Sequence, residues 1–221
     1  MGNYEIILSE LEQTHTRLIA VSKTKSVAQI LELYQKGQRA FGENKVQELL
    51  EKYEQLPKDI EWHLIGHLQS NKVKYIIPFV HLIHSVDSLK LLFEINKEAT
   101  KNQKVQQVLI QIHLGNEETK FGVDEKELIE ILEYYCAENG SLQNVAIVGL
   151  MGMATNTDDE EIIRTEFLYL RNLFRSTKNT YLLHKTNFVE ISMGMSSDYK
   201  IALEAGSTLI RVGSLLFGSR T

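Results

Sequence analysis

The chain has 221 residues, 43% hydrophobic and 24% charged, which suits a soluble globular protein long enough to bury one full core. Its net charge of -5, with Lys and Arg scattered rather than massed, argues against a broad nucleic-acid surface. The lone Cys136 excludes an internal disulfide and fits a reducing cytoplasm, with packing in a helix as its expected role.

In chain order, Met1–Gln13 mixes Glu and Asn with Ile and Leu and reads as an amphipathic helix, without the basic leader and apolar core of a secretory signal. Short apolar runs then alternate with helical periodicity. Strand Leu18–Val21 precedes helix Val27–Lys36, and strand Arg39–Phe41 precedes helix Lys45–Glu54. Strands follow at Trp62–Ile65 and Leu82–His84; the apolar stretch Tyr75–Val86 is too short to span a membrane and carries two histidines. Helix Leu89–Thr100, strand Gln107–His113, helix Glu125–Glu138 and strand Ala146–Leu150 come next. Helix Glu160–Ser176, strand Val189–Ser192, helix Tyr199–Ala205 and strand Leu209–Val212 complete the series. Asp124 and Asp158 stand where helix N-caps are expected, and Gly37, Gly140 and Gly206 where helices should end.

Only Pro57 and Pro78 interrupt the chain and no Gly/Ser-rich linker divides it, so residues 1–221 are expected to form one domain. Strands alternating with helices imply parallel pairing and right-handed crossovers. A closed (β/α)8 TIM barrel and an open doubly wound sheet both satisfy this. Eight strands favour closure, although the chain is short for a barrel, and no Gly-x-Gly-x-x-Gly follows the first strand as an open dinucleotide-binding sheet would show. The expected fold is a single (β/α)8 barrel with an extra N-terminal helix.

In such a barrel the active face lies at the carboxyl ends of the strands, and the unusual polar residues fall there. Lys23 follows strand one, Glu43 and Asn44 follow strand two, and His63 to Asn71 straddle the exit of strand three. Ser192-Met193-Gly194-Met195-Ser196-Ser197 follows strand seven, and Arg211-Val212-Gly213-Ser214 closes strand eight. A lysine at a strand end can be desolvated, which lowers its pKa and frees the amine to condense with an aldehyde. Lys25 shares its parity; Lys23 is nearer the strand. Loops after strands seven and eight recurrently seat phosphate, whereas turn chemistry and a helix cap are the bland account of the same serines and glycine. An amine beside a phosphate seat suggests pyridoxal phosphate. Arg211 shares a face with Leu209 and Gly213 and should point inward, either as a structural ion pair with Glu190 or Glu43, or as the partner of the cofactor's pyridine nitrogen.

Competing chemistry is weaker. His63 and His67 bracket a strand exit rather than a helix turn, His81 and His84 have no third ligand in the nearby sequence, and no metal site is expected. No Gly-x-Ser-x-Gly elbow occurs and Cys136 lacks an activating neighbour. Packing is the expected role of Met151, Met153, Met193 and Met195.

Several stretches together resemble the pyridoxal phosphate homeostasis proteins, also called alanine racemase N-terminal domain-like proteins. They are Ala20-Val21-Ser22-Lys23-Thr24-Lys25, Phe41-Gly42-Glu43-Asn44, His63-Leu64-Ile65-Gly66-His67-Leu68-Gln69-Ser70-Asn71-Lys72, Gly149-Leu150-Met151, Ser192 to Asp198 and Arg211 to Gly218. The resemblance implies one barrel carrying pyridoxal 5'-phosphate as a Schiff base on Lys23, with Ser196, Gly213 and Ser214 on the phosphate, Arg211 at the pyridine nitrogen and Asn44 near the ring. Ser214 stands where many relatives have threonine, and His67 where proline is common. The implied role is holding and buffering the cofactor in vitamin B6 metabolism, with no catalytic residue assigned.

A racemase is the competing enzyme class. It needs opposed bases on the two faces of the cofactor, the second supplied by an added β domain, and the sequence ends at Thr221 soon after strand eight. A cofactor-free lysine aldolase fits Lys23 but leaves an inward Arg211 unexplained. The expectation is therefore a monomeric cytoplasmic carrier, without membrane or nucleic-acid partners, that passes cofactor to apo-enzymes.

Overall fold

The computed structural model describes residues 2–115, 121–137 and 142–218. In chain order the elements are α1 (Asn3–Leu11), β1 (Arg17–Val21), α2 (Val27–Gln35), β2 (Ala40–Glu43), α3 (Val46–Gln55) and β3 (Glu61–Leu64). A 3-10 turn (Ser70–Lys72) leads into α4 (Val73–Ile76), then β4 (Leu82–Val86), α5 (Leu89–Lys101), β5 (Gln106–Ile112) and α6 (Glu125–Cys136). β6 (Val145–Gly152), α7 (Glu160–Thr180), β7 (Glu190–Ser192), α8 (Tyr199–Glu204), β8 (Leu209–Val212) and α9 (Ser214–Phe217) follow. The eight strands pair in sequence order into a closed barrel, with β8 parallel to β1. The fold is the expected (β/α)8 barrel with an extra N-terminal helix.

Local chemistry starts the helices where the sequence indicates. Ser26 with Gln29, and Asp124 with Glu127, form reciprocal capping boxes that satisfy orphan N–H groups at the starts of α2 and α6. Gly37 and Gly206 follow helix ends at φ 100 and 89. At α7 the cap is Asp159 rather than Asp158, because the Asp159 carboxylate accepts from the N–H groups of Glu161 and Ile162. That helix also continues past Ser176 to Thr180, where Thr177 is still buried. The turn between β3 and β4, for which the sequence shows no helix, forms α4 by burying Val73 and Ile76. Gly140 and the expected helix end at Glu138 lie outside the described residues.

Two apolar layers result from the period-two alternation of the strands. Outward residues such as Phe41 and Trp62 pack under the helices with Phe167 and Phe188, all fully buried. Inward residues Ile19, Leu82, Leu109, Val148, Met151 and Leu209 fill the barrel. Cys136 is exposed at the end of α6, not packed in the helical core as expected, since the apolar stripe of that helix is carried by Leu128, Ile131 and Leu132. No helix among the described residues is long and apolar enough to cross a membrane.

Candidate functional site

Above the inner layer, at the carboxyl ends of β1, β2, β7 and β8, lies a cavity of about 460 Å³. Lys23, Asn44, Ser196, Arg211, Gly213 and Ser214 all line it. They come from both ends of the chain, and the β1–β8 register, which sets Ile19 against Arg211, brings them together. Lys25 also lines the cavity, but its Nζ lies 3.4 and 3.3 Å from the carbonyls of Phe217 and Gly218. Lys23 sits directly beyond the ladder, one residue past the Ser22 N–H that still bonds Gly42 O at 3.0 Å.

The segment carrying Lys23 is clamped from outside the barrel. Lys52 on α3 donates to Ser22 O at 2.7 Å, to Glu43 Oε1 at 2.8 Å and to Glu48 Oε1 at 2.7 Å. The Ser22 hydroxyl donates to Glu43 at 2.6 Å, and the Thr24 N–H to Glu48 at 2.5 Å. Thr24 is held at φ 65, a left-handed conformation that a threonine keeps only when its surroundings fix it. Burial pushes the Glu43 carboxyl above its usual range against the pull of Lys52. Glu43 therefore does not face the cavity; it lies behind the strand as the centre of this clamp. Gly66 makes a further close approach possible, because a Cβ there would stand 2.4 Å from Asn44 O.

The serine turn after β7 is fixed in a similar manner. Gly194 has φ 96, and a Cβ on it would meet Ala202 Cβ at 2.6 Å. Asp198, buried, accepts from the Met195 N–H at 2.5 Å, and burial raises its pKa. The Gly213 N–H donates to Ser196 Oγ at 3.2 Å, tying the two loops into one rim. Gly213 precedes α9 and its carbonyl accepts from the Leu216 and Phe217 N–H groups at 2.9 and 3.0 Å, so the helix offers no acceptor to the N–H groups of Ser214 and Leu215. Hydroxyls and such N–H groups are suited to a phosphate dianion.

Arg211 is 4% exposed and points inward, as its parity requires. Its Nη1 donates to Ser192 Oγ at 2.6 Å and its Nη2 to Gly152 O at 3.0 Å. Neither expected carboxylate is its partner: Glu190 is bonded to Arg17 at 3.0 Å, and Glu43 to Lys52. Burial brings the Arg211 pKa down to about 10, with Asp198 opposing, so the guanidinium remains charged near neutral pH.

Behind Arg211 the barrel holds polar residues that sequence reasoning did not connect. His63 Nδ1 is 2.8 Å from His84 Nε2, and His84 Nδ1 is 2.9 Å from Ser192 Oγ. His84 and Ser192 differ by 108 positions, so only their shared inward parity could have flagged them. His81 does have neighbouring ligand types, since Glu61, His63 and His81 each bring one donor atom within 4.8 Å of the others. Glu61 lies only two positions before His63 but at the strand's entry, opposite the cavity. His67 is paired with Asp87 at 3.1 Å and stacks on Phe121. Met151 and Met193 are fully buried, whereas Met153 and Met195 line the cavity.

Comparison with known proteins agrees with this architecture. The family model described as "Alanine racemase, N-terminal domain" matches residues 2–221, and the chain belongs to that family. It is 44% identical over 205 residues to the pyridoxal phosphate homeostasis protein of Aquifex aeolicus, covering 92% of this chain and 87% of the relative. The human pyridoxal phosphate homeostasis protein is 38% identical over 221 residues, covering 96% and 79%. The solved structure of PipY from Synechococcus elongatus with PLP bound superposes with a TM-score of 0.87 at 35% identity, covering 98% of this chain and all of that one. Within its family, the chain is one of the pyridoxal phosphate homeostasis proteins.

Proposed function

We propose that this protein binds pyridoxal 5'-phosphate in the strand-end cavity and serves cytoplasmic cofactor homeostasis by holding and releasing it, without a reaction of its own. The observation that carries this is convergence: an amine, a buried guanidinium and a hydroxyl-rich rim from opposite ends of the chain line one cavity. The homeostasis names of the relatives and the PLP-bound neighbour point the same way.

The donor set fits the cofactor. Bound, pyridoxal phosphate supplies an aldehyde carbon that a lysine amine can attack with loss of water, and a ring that can delocalise charge. Lys23 supplies that amine from a clamped backbone. Ser196, Ser214 and the N–H groups around Gly213 would hold the phosphate, and Asn44, which lines the same cavity, would serve the ring. Arg211, which stays protonated, would donate to the pyridine nitrogen without giving it a proton, and so would leave the ring a weak electron sink.

Racemisation would need a second proton-exchanging group opposite Lys23. Among the described residues the titratable groups lining the cavity are Lys23, Lys25 and Arg211, and Lys25 is tied to two carbonyls. This favours a carrier over a racemase. The test is to load the protein with pyridoxal phosphate, reduce with borohydride and map the labelled lysine. Lys23→Ala should abolish the adduct and Lys25→Ala should keep it, while transfer to apo-enzymes proceeds and amino acids are not racemised. A label on Lys25, or a colourless protein that ignores added cofactor, would refute the proposal.

A further inference from the structure

We propose that His84, with His63 behind it, is a positioning residue that orients the Arg211 guanidinium by fixing the direction of the Ser192 hydroxyl. The four side chains come from β3, β4, β7 and β8 and form one unbroken chain: Arg211 to Ser192 at 2.6 Å, Ser192 to His84 at 2.9 Å, His84 to His63 at 2.8 Å. His63, His84 and Ser192 are fully buried.

Proton counting gives the chain a direction. Arginine only donates, so Ser192 Oγ must accept from Arg211. If the Ser192 hydroxyl then donates to His84 Nδ1, and His84 Nε2–H to His63 Nδ1, one hydrogen is left over, on His63 Nε2. That atom is buried and has no hydrogen-bond partner among the described residues. It belongs to the residue grouped with the Glu61 carboxylate and His81 at the strand entries. The opposite direction would leave two groups unsatisfied, the serine hydrogen and the His63 Nε2 lone pair, and burial makes each orphan costly. Both rings are neutral at pH 7, because burial first, and the Arg17, Arg211 and histidine charges around them second, hold their pKa values well below the usual histidine range. The groups bearing on the far end are Glu61, His81 and Arg17, with Arg17 Nη1 4.0 Å from Glu61.

The consequence is a guanidinium whose two η nitrogens are each committed, one to an oriented hydroxyl and one to Gly152 O. Its remaining N–H groups are left for the cavity. The effect on the bound ring rests on the proposal that pyridoxal phosphate occupies that cavity, but the orientation of the chain does not.

The experiment has two arms. Histidine 15N NMR of the protein without cofactor, near neutral pH, should show His63 and His84 both as Nε2–H tautomers. In Ser192→Ala, His84 should lose that preference, having lost its donor. A wild-type His84 found as Nδ1–H or doubly protonated overturns the proposal, whatever the cofactor does. In the second arm, His84→Leu should weaken pyridoxal phosphate by about tenfold, the worth of a misaligned hydrogen bond to a charged group, and shift its absorption maximum. His84→Gln, which can accept from Ser192 and donate to His63, should restore both. Equal affinity and spectra for the two variants overturn the positioning role, while failure of every variant and the wild type to bind would count against the cofactor proposal instead.

Discussion

Removing Lys52 tests whether the clamp behind Lys23 is an electrostatic device. Lys52→Met keeps the apolar stem and deletes three hydrogen bonds of 2.7–2.8 Å, to Ser22 O, Glu43 and Glu48. Glu48 is partly exposed and recovers water, whereas the Glu43 side chain is 0% exposed and is left uncompensated apart from the Ser22 hydroxyl. Breaking a buried pair by removing one partner costs about 3–5 kcal/mol. The Glu43 pKa is already raised in the folded protein and should rise further once Lys52 is gone. Above pH 4.5 the folded variant then binds a proton that the unfolded chain has released, so its stability falls as pH rises through the folded pKa, by up to about 1.4 kcal/mol per pH unit. Urea unfolding at pH 5 and pH 8 should therefore show the smaller penalty at pH 5. Adding Glu43→Gln should recover most of the loss at pH 8 by removing the stranded charge. A variant within about 1 kcal/mol of wild type at pH 8, a penalty independent of pH, or a double variant no more stable than Lys52→Met would show that this ion pair is not what holds the loop.

Two further outcomes follow from the same geometry. Gly194→Ala adds a methyl 2.6 Å from Ala202 Cβ at φ 96, and should cost about 2–4 kcal/mol, lowering Tm by roughly 5–15 °C and weakening phosphate binding; an unchanged melt would mean the turn can relax. His63 and His84 have depressed folded pKa values, so the unfolded chain binds more protons than the folded one below about pH 6.5. Their contribution is present above that pH and is lost as pH falls, with a slope of up to about 2.7 kcal/mol per unit for the two. His84→Gln should halve the histidine part of that slope in urea titrations between pH 6.5 and 5, and an unaltered slope would sink the assignment.

Much of this protein is written in short-range sequence signals. The alternation of apolar strands with capped helices fixes eight parallel strands, because side-chain period and capping are local properties of a few neighbouring residues. Once eight strands close, Lys23 and Arg211 are obliged to share a rim, since β8 lies beside β1 and their parities both point inward. What escaped the sequence was the pairing of polar residues across the closed barrel. Glu43 reads as a rim residue but turns outward to Lys52. Arg211 finds a serine and a carbonyl instead of a carboxylate, and His63 and His84 meet although they look like unrelated histidines. A buried polar group takes the partner that strand register and layer height bring within about 3 Å, and those are set by the whole closed sheet rather than by any window of neighbouring residues.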